Sequence, residues 1–146
     1  MNNEPSPHHP STDTLFAQLQ RDPLPNPGVL HAAASTLRTV ADDDDHDHIV
    51  VLARSTTLGA QRTPLLAWLI DHGGSDGLDV VVDQLADPSV RIACMQLLRR
   101  VQPTPTHLIE RVEPYLNDQD ETVRSEALRT INLLYLAIFA LDLSRA

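Results

Sequence analysis

The sequence predicts an all-helical protein made of antiparallel helix pairs, and three observations support this fold class. Apolar residues recur at three- and four-residue spacing in most segments, which is the period of an amphipathic helix. Proline and glycine separate these segments by short connections, and short connections make consecutive helices antiparallel neighbours. One sequence unit also occurs twice in the second half of the chain, which indicates stacked copies of one helix pair.

The chain begins with a segment that has no helical pattern. Residues 1–11 are rich in proline, histidine and asparagine, so we predict a disordered tail there, followed by a single domain over residues 12–146. A short helix is predicted over residues 12–20. A second helix is predicted to begin near Pro27, because proline is favoured at the first position of a helix.

Capping and stop signals set the predicted boundaries of the later helices. A third helix is expected over residues 46–58, and a fourth begins with Thr63 as its cap and Pro64 at its first position. The pair Gly73-Gly74 is a stop signal for that helix. The last four helices are predicted over residues 77–86, 88–101, 106–116 and 121–143.

The repeated unit covers residues 76–104 and 105–143. Leu78 recurs as Ile109 at an offset of 31 residues, and Val90 recurs as Val123 at an offset of 33, because the second turn is longer. Aliphatic residues at helical spacing bury one face of each helix in both copies. The positions that we predict to be structural in the repeat are Asp87, Val90, Arg91, Asp118, Val123, Arg124 and Ala127.

Two kinds of polar residue recur in the repeat. Asp87 and Asp118 precede a predicted helix, where a carboxylate can cap the free backbone N–H groups. Arg91 and Arg124 follow within the next turn and can reach an aspartate of their own or of the neighbouring turn. We therefore predict that alanine at Arg91 or Arg124 destabilises the fold more than alanine at Arg62, which lies outside the repeat.

The repeated turn resembles that of HEAT repeats. The resembling segments are Leu85–Arg91 and Leu116–Arg124, and Ala127 completes a Val-Arg-x-x-Ala signature, whereas Cys94 stands at the alanine position of the first copy. The resemblance covers residues 76–140. It implies a right-handed α-solenoid of the armadillo type with about seven or eight helices. In residues 1–75 the sequence predicts only a succession of helix pairs, without the Val-Arg signature.

The charge of the chain predicts a basic partner. The sequence has 20 acidic residues against 11 basic ones, all of them arginine, which gives a net charge of −9. Nucleic-acid binding needs an excess of basic charge, and an acidic surface repels nucleic acid and anionic membranes alike. A basic protein surface is attracted instead. We therefore expect one protein partner with a basic patch, and neither nucleic acid nor a membrane.

The most concentrated charge is the run from Asp42 to His48. Carboxylates and imidazoles together can bind a divalent metal, but a calcium loop starting at Asp43 would need glycine where His48 stands and glutamate where Arg54 stands. A solvated acidic turn is the simpler interpretation, with weak opportunistic metal binding as the alternative, so we predict no metal site. The residues predicted to contact the partner are Asp42, Asp43, Asp44, Asp45, Asp47, Asp118 and Asp120.

The sequence contains no recognisable catalytic or cofactor-binding constellation. Cys94 lies at helical spacing with aliphatic residues, which predicts a buried structural thiol rather than a nucleophile. The 7 histidines have no metal-ligand spacing, and there is no glycine-rich phosphate loop. The stretch from Ile131 to Leu141 is apolar nearly all round. We expect it either to fold over the core or to pack on a partner or a second copy, which would make a homo-oligomer.

These observations favour a non-catalytic protein-binding module. Small acidic bacterial proteins of this size resemble immunity proteins, which neutralise a cognate toxin with a basic surface, and the arginine-only composition indicates a GC-rich bacterial genome. An adaptor or assembly subunit of a larger enzyme is the alternative. A DNA-glycosylase-like enzyme is a remote alternative, which the charge and the few aromatic residues disfavour. Without a signal-peptide pattern or an apolar stretch long enough for a bilayer, the predicted location is cytoplasmic.

Overall fold

The computed structural model describes residues 12–144, and the tail predicted over residues 1–11 lies outside the described residues. The described residues form eight α-helices and three short 3-10 helices without any strand, which confirms the all-helical prediction. The α-helices are α1 Thr12–Leu19, α2 Pro27–Val40, α3 His46–Ala53, α4 Thr63–His72, α5 Gly74–Gln84, α6 Arg91–Leu98, α7 His107–Val112 and α8 Glu121–Ser144. The 3-10 helices are Asp43–Asp45, Thr56–Arg62 and Glu113–Asn117.

The helices associate as four successive pairs. α1 packs on α2, α3 on α4, α5 on α6 and α7 on α8, and the second helices of the pairs also contact one another in chain order. Near the C-terminal ends of these second helices, Asp71 of α4 pairs with Arg38 of α2 and with Arg100, which follows α6. Near their N-terminal ends, Arg91 of α6 pairs with Asp118, which precedes α8. The second helices therefore run in the same direction and lie side by side in one layer, in which the C-terminal ends of α2, α4 and α6 are close together.

The core is aliphatic, as the low aromatic content of the sequence requires. Each of the four second helices contributes at least one leucine that is at most 1% exposed, namely Leu37, Leu65, Leu98 and Leu134. The single tryptophan, Trp68, lies in the same buried cluster. Burying a side chain of this size stabilises a fold by about 1.5–3 kcal/mol, so the core connects and stabilises all four pairs.

The third helix is shorter than predicted. It ends at Ala53, and the chain continues as the 3-10 segment Thr56–Arg62, in which Gly59 has a φ of 57° that interrupts helical geometry. Thr63 is the first residue of α4 and not its cap, because its hydroxyl donates backwards to the carbonyl oxygen of Ala60 at 2.7 Å. This irregular segment places the residue directly before α4 inside the core.

The turns of the repeated pairs are also more irregular than predicted. α6 begins at Arg91, three residues later than expected, because Asp87 Oδ1 accepts hydrogen bonds from the backbone N–H and the hydroxyl of Ser89 and holds a turn there. In the last pair, Pro114 has no N–H to continue an α-helix, and the chain after α7 tightens into the 3-10 helix Glu113–Asn117.

Candidate functional site

The acidic segment, which we define as Asp42, Asp43, Asp44, Asp45 and Asp47, lies at the turn between α2 and α3. Asp42 Oδ1 accepts a hydrogen bond from the backbone N–H of Asp44 at 3.0 Å, and Asp45 Oδ2 accepts one from the backbone N–H of Asp42 at 3.0 Å. This capping box fixes the turn and uses two of the carboxylates. The side chains of Asp43, Asp44 and Asp47 remain exposed to solvent.

The acidic segment has no arginine partner among the described residues. All the ion pairs of the described residues use carboxylates outside the acidic segment. The arginines in these pairs are Arg38, Arg54, Arg62, Arg91, Arg99, Arg100 and Arg111. The fold thus neutralises much of its basic charge internally and leaves the carboxylates of the acidic segment together at one turn.

The two histidines beside the acidic segment pack near aromatic rings. His48 stacks on Phe16 with ring centroids 3.8 Å apart, and its Nε2 atom lies 3.0 Å from Gln20 Oε1. The centroid of the His46 ring lies 6.1 Å from that of Trp68. Within residues 12–144, no group of three histidine, cysteine or acidic side chains is arranged to hold a metal ion.

Asp118 and Asp120 lie at the opposite end of the layer of second helices, just before α8. Asp118 Oδ1 accepts a hydrogen bond from the backbone N–H of Asp120, and Asp120 Oδ1 accepts one from the backbone N–H of Thr122, both at 2.8 Å. Asp118 Oδ2 also lies 3.4 Å from Arg91 Nη1. These two carboxylates stabilise their own turn. The structure does not bring them next to the acidic segment, which follows the C-terminal end of α2.

The repeated arginines make the same backbone contacts in both copies. Arg91 donates to the carbonyl oxygens six and five residues earlier, at 2.8 and 3.1 Å, and Arg124 donates to the carbonyl oxygens at the same two offsets, at 2.7 and 3.0 Å. Arg91 also reaches the aspartate of the next turn. The repeat residues buried beside them are Val90, Val123 and Ala127. Each arginine therefore closes the turn of its own helix pair.

The most buried arginine among the described residues is Arg62, which the repeat pattern missed. Its side chain is 0% exposed. Its Nε and Nη1 atoms donate to the carbonyl oxygens of Ala53 and Gly59 at 2.9 and 2.8 Å. Its Nη2 atom donates to Gln84 Oε1 at 3.0 Å and to Asp87 Oδ2 at 2.6 Å. This guanidinium joins three segments of the chain at the centre of the fold.

Arg62 shares one contact with Arg91, the ion pair to the aspartate of the next turn. It lies directly before the second helix, and it pairs with Asp87 of the next turn as Arg91 pairs with Asp118. The burial of Arg62 reverses the expected order of stability losses, so that we expect the largest loss for alanine at Arg62 and not at Arg91 or Arg124. An offset of 29 residues aligns Arg62 with Arg91, whereas the repeat pattern uses offsets of 31 and 33.

The Arg62 guanidinium lowers the pKa of the Asp87 carboxyl below its usual value of 3.8, and the backbone N–H of Ser89 lowers it further. Because the folded state favours the ionised form, this carboxylate stabilises the fold above the pKa of the unfolded chain. The stabilisation is lost as the pH falls through the folded-state pKa.

We expect Asp87→Asn to lower the free energy of unfolding at neutral pH. The difference from wild type is expected to shrink as the pH falls below the pKa of the unfolded chain, at about 4, and to be smallest below the lowered folded-state pKa, where the wild-type carboxyl is protonated as well. Urea unfolding of both proteins from about pH 7 to about pH 2 measures the difference. Asp76→Asn is the matched control, since this exposed carboxylate makes no ion pair in the described part of the chain. A difference between wild type and Asp87→Asn that stays constant with pH would contradict the linkage.

A groove of about 720 Å³, which we call the α4 groove, follows α4 between α2 and α6. Pro64 and Ala67 of α4 lie at its base, since both line the groove and are themselves buried. Arg38 and Arg100 flank one end, and both contact Asp71 of α4. This groove could not be predicted from the sequence, because its residues come from three separate helical segments.

One side of α8 is apolar and exposed. Leu136 and Phe139 are 66% and 64% exposed, while Ile131 and Leu134 on the other side are buried in the core. The expectation that the last helix covers the core therefore holds for one side only. A contiguous apolar patch of this kind is typical of an interaction surface.

The Cys94 thiol is buried, and burial raises its pKa to about 12. The thiol is therefore protonated at neutral pH, whereas a cysteine nucleophile needs the thiolate. This agrees with the structural role predicted from its helical spacing.

Comparison of the sequence with protein-family models, with curated proteins and with solved structures finds no match. Over the described range, no helix is long and apolar enough to cross a membrane.

Proposed function

We propose that this chain is a non-catalytic protein-binding module built as a short, right-handed, HEAT-like α-solenoid. The layer of parallel second helices supports this arrangement. The ion pairs Arg62–Asp87 and Arg91–Asp118 also support it, because each joins one turn to the next in chain order. Stacked helix pairs of this kind present continuous surfaces, and such surfaces serve mainly for binding.

The observation that carries the proposal is the unpaired charge of the acidic segment. Exposed carboxylates add little to folding stability, and an excess of them opposes it through repulsion, so a retained cluster is better explained by association. The capping box holds the turn in place before binding, which reduces the ordering cost of association. We assign the contact to Asp43, Asp44 and Asp47, which are exposed, make no ion pair within residues 12–144 and can bind arginine or lysine of a partner.

The partner that fits this surface is a protein with a basic patch. The role that we propose is that of a bacterial, cytoplasmic immunity protein, which neutralises a toxin by covering its basic surface. In this role Asp118 and Asp120 contribute only to the long-range attraction, because they stabilise a turn at the other end of the layer.

Affinity capture with the full chain, followed by association kinetics, tests this function. We expect a captured protein with an excess of basic residues and an association rate that falls about tenfold or more between low and high salt, because salt screens the attraction. An acidic partner, or an association rate that salt does not change, would overturn the proposal.

A second candidate function is favoured by the exposed apolar side of α8. A surface carrying Leu136 and Phe139 suits an adaptor subunit or a homo-oligomer, since both bury such a patch against another chain. Sedimentation of the purified chain at several concentrations tests the homo-oligomer. A concentration-dependent dimer favours it, and a monomer throughout contradicts it; the identity of the captured partner, a toxin or a larger enzyme, distinguishes the immunity protein from the adaptor.

A further inference from the structure

The two arginines at one end of the α4 groove share a single carboxylate. Asp71 pairs closely with Arg100, and its Oδ2 atom lies 3.7 Å from Arg38 Nη2, beyond hydrogen-bonding distance. Within the part of the chain that the structure describes, the Arg38 guanidinium makes no hydrogen bond. Both arginine side chains are 44% exposed. This end of the groove therefore has one positive charge more than its carboxylate balances, although the net charge of the chain is −9.

The rest of the α4 groove has the shape and chemistry for a short extended peptide. α4 has 10 residues and is about 15 Å long, which is the length of about four or five residues in an extended chain. Pro64, Ala67 and Leu97 offer an apolar surface. Ser35 on the α2 side and Gln96 on the α6 side offer a hydroxyl and an amide to the polar groups of a peptide backbone.

We propose that the α4 groove binds an extended acidic peptide segment of a partner protein. A carboxylate of the peptide binds Arg38 and the exposed part of Arg100, and the adjoining residues lie along α4. Guanidinium–carboxylate hydrogen bonds are among the stronger ones in proteins and are directional, which gives this site its selectivity for carboxylates. This site is separate from the acidic segment. It binds a negatively charged group, whereas the acidic segment binds a positively charged one.

NMR titration of the full chain with three short alanine–leucine peptides tests the site. One peptide has a free terminal carboxylate, one has blocked ends and a single glutamate, and one has blocked ends and no carboxylate. The backbone amides of α4 and the indole N–H of Trp68 report binding, because the Trp68 ring stacks on that of the groove residue His72 at 5.2 Å. We expect saturable chemical-shift changes at millimolar concentrations with at least one of the two carboxylate peptides. The peptide that binds more tightly shows whether the groove recognises a chain terminus or an acidic side chain.

Three variants separate this binding from general attraction. Arg38→Gln is expected to weaken binding of the carboxylate peptides about tenfold. Asp71→Asn is expected to strengthen binding, since the internal carboxylate no longer competes for the two arginines. Arg111→Gln removes the same charge from an arginine that is 53% exposed and outside the groove, and it is expected to change the affinity less than about twofold.

The proposal is overturned by any of three results. The first is that the peptide without a carboxylate binds as tightly as the carboxylate peptides. The second is that Arg38→Gln and Arg111→Gln lose the same affinity for those peptides. The third is that inorganic phosphate binds the groove as tightly as they do. Melting temperatures of the variants show that each is folded. Because the peptides carry no basic residue, the outcome is distinguishable from success or failure of the proposed immunity function.

Discussion

Alanine at Arg62 is expected to lower the free energy of unfolding by about 3–5 kcal/mol, because it breaks a buried ion pair by removing one partner. The side chain is 0% exposed and fills space between segments of the core. Its loss leaves the carbonyl oxygens of Ala53 and Gly59 without their donor and Asp87 without its cation. Chemical denaturation monitored by circular dichroism gives the free energy directly.

Arg91→Ala and Arg124→Ala are the matched controls for this effect. Arg91 is 15% exposed and also lies over the Tyr115 ring at 4.7 Å, so we expect an intermediate loss of about 1.5–3 kcal/mol. Arg124 is exposed and binds two backbone carbonyls, so we expect Arg124→Ala to lower the free energy of unfolding by about 1 kcal/mol. Equal stability of the three variants, or a loss at Arg62 smaller than that at Arg124, would contradict the central position of Arg62.

Alanine at Gly77 is expected to destabilise the fold by about 2–3 kcal/mol, although alanine normally favours a helix over glycine by about 1 kcal/mol. A Cβ atom at Gly77 would clash with the backbone carbonyl oxygen of Leu69, and these backbone atoms cannot move aside without separating α4 from α5. Thermal or urea unfolding of the variant measures the loss.

Gly28→Ala is the matched control for Gly77→Ala, because both glycines lie in the first turn of a helix. A Cβ atom at Gly28 would meet only the side chain of Asn26, at 3.3 Å. We expect a change in the free energy of unfolding of less than about 1 kcal/mol in either direction. Equal stability of Gly77→Ala and Gly28→Ala would contradict the close approach of α4 and α5 at Gly77.

Features that depend on chemistry within one helical turn could be predicted from the sequence. Asn26 accepts a hydrogen bond from the backbone N–H of Val29 at 3.0 Å, and Pro27 begins α2 as expected. Gly73 follows the last residue of α4, as the glycine pair predicts. The acidic segment could be recognised directly from its run of aspartates, and its exposure to solvent could be predicted from its charge.

Features that join separate helices could not be predicted. Arg62 pairs with Asp87 across 25 residues, and it is the last residue of an irregular 3-10 segment that lacks the Val-Arg signature. The distance between the acidic segment and Asp118 depends on the direction in which the second helices run. The α4 groove exists only because residues of three helices meet. Local periodicity carries none of this information, and the repeat offsets of 31 and 33 do not relate Arg62 to Arg91, which follows it by 29 residues.

The most direct test of the proposed function compares two charge-reduced chains in their association with the captured partner. The first carries Asp43→Asn, Asp44→Asn and Asp47→Asn, which leaves the capping pair Asp42 and Asp45 intact. The control carries Asp76→Asn, Asp79→Asn and Glu113→Gln, which removes the same charge from exposed carboxylates elsewhere. Stopped-flow or surface-based kinetics at low salt gives the association rate of each.

If the acidic segment steers the partner, the first variant associates about tenfold more slowly than wild type, while the control loses less than about threefold. Both variants must melt within a few degrees of wild type, so that the comparison reports association and not folding. Equal association rates for the two variants would show that only net charge matters. In that case the acidic segment is not the binding surface.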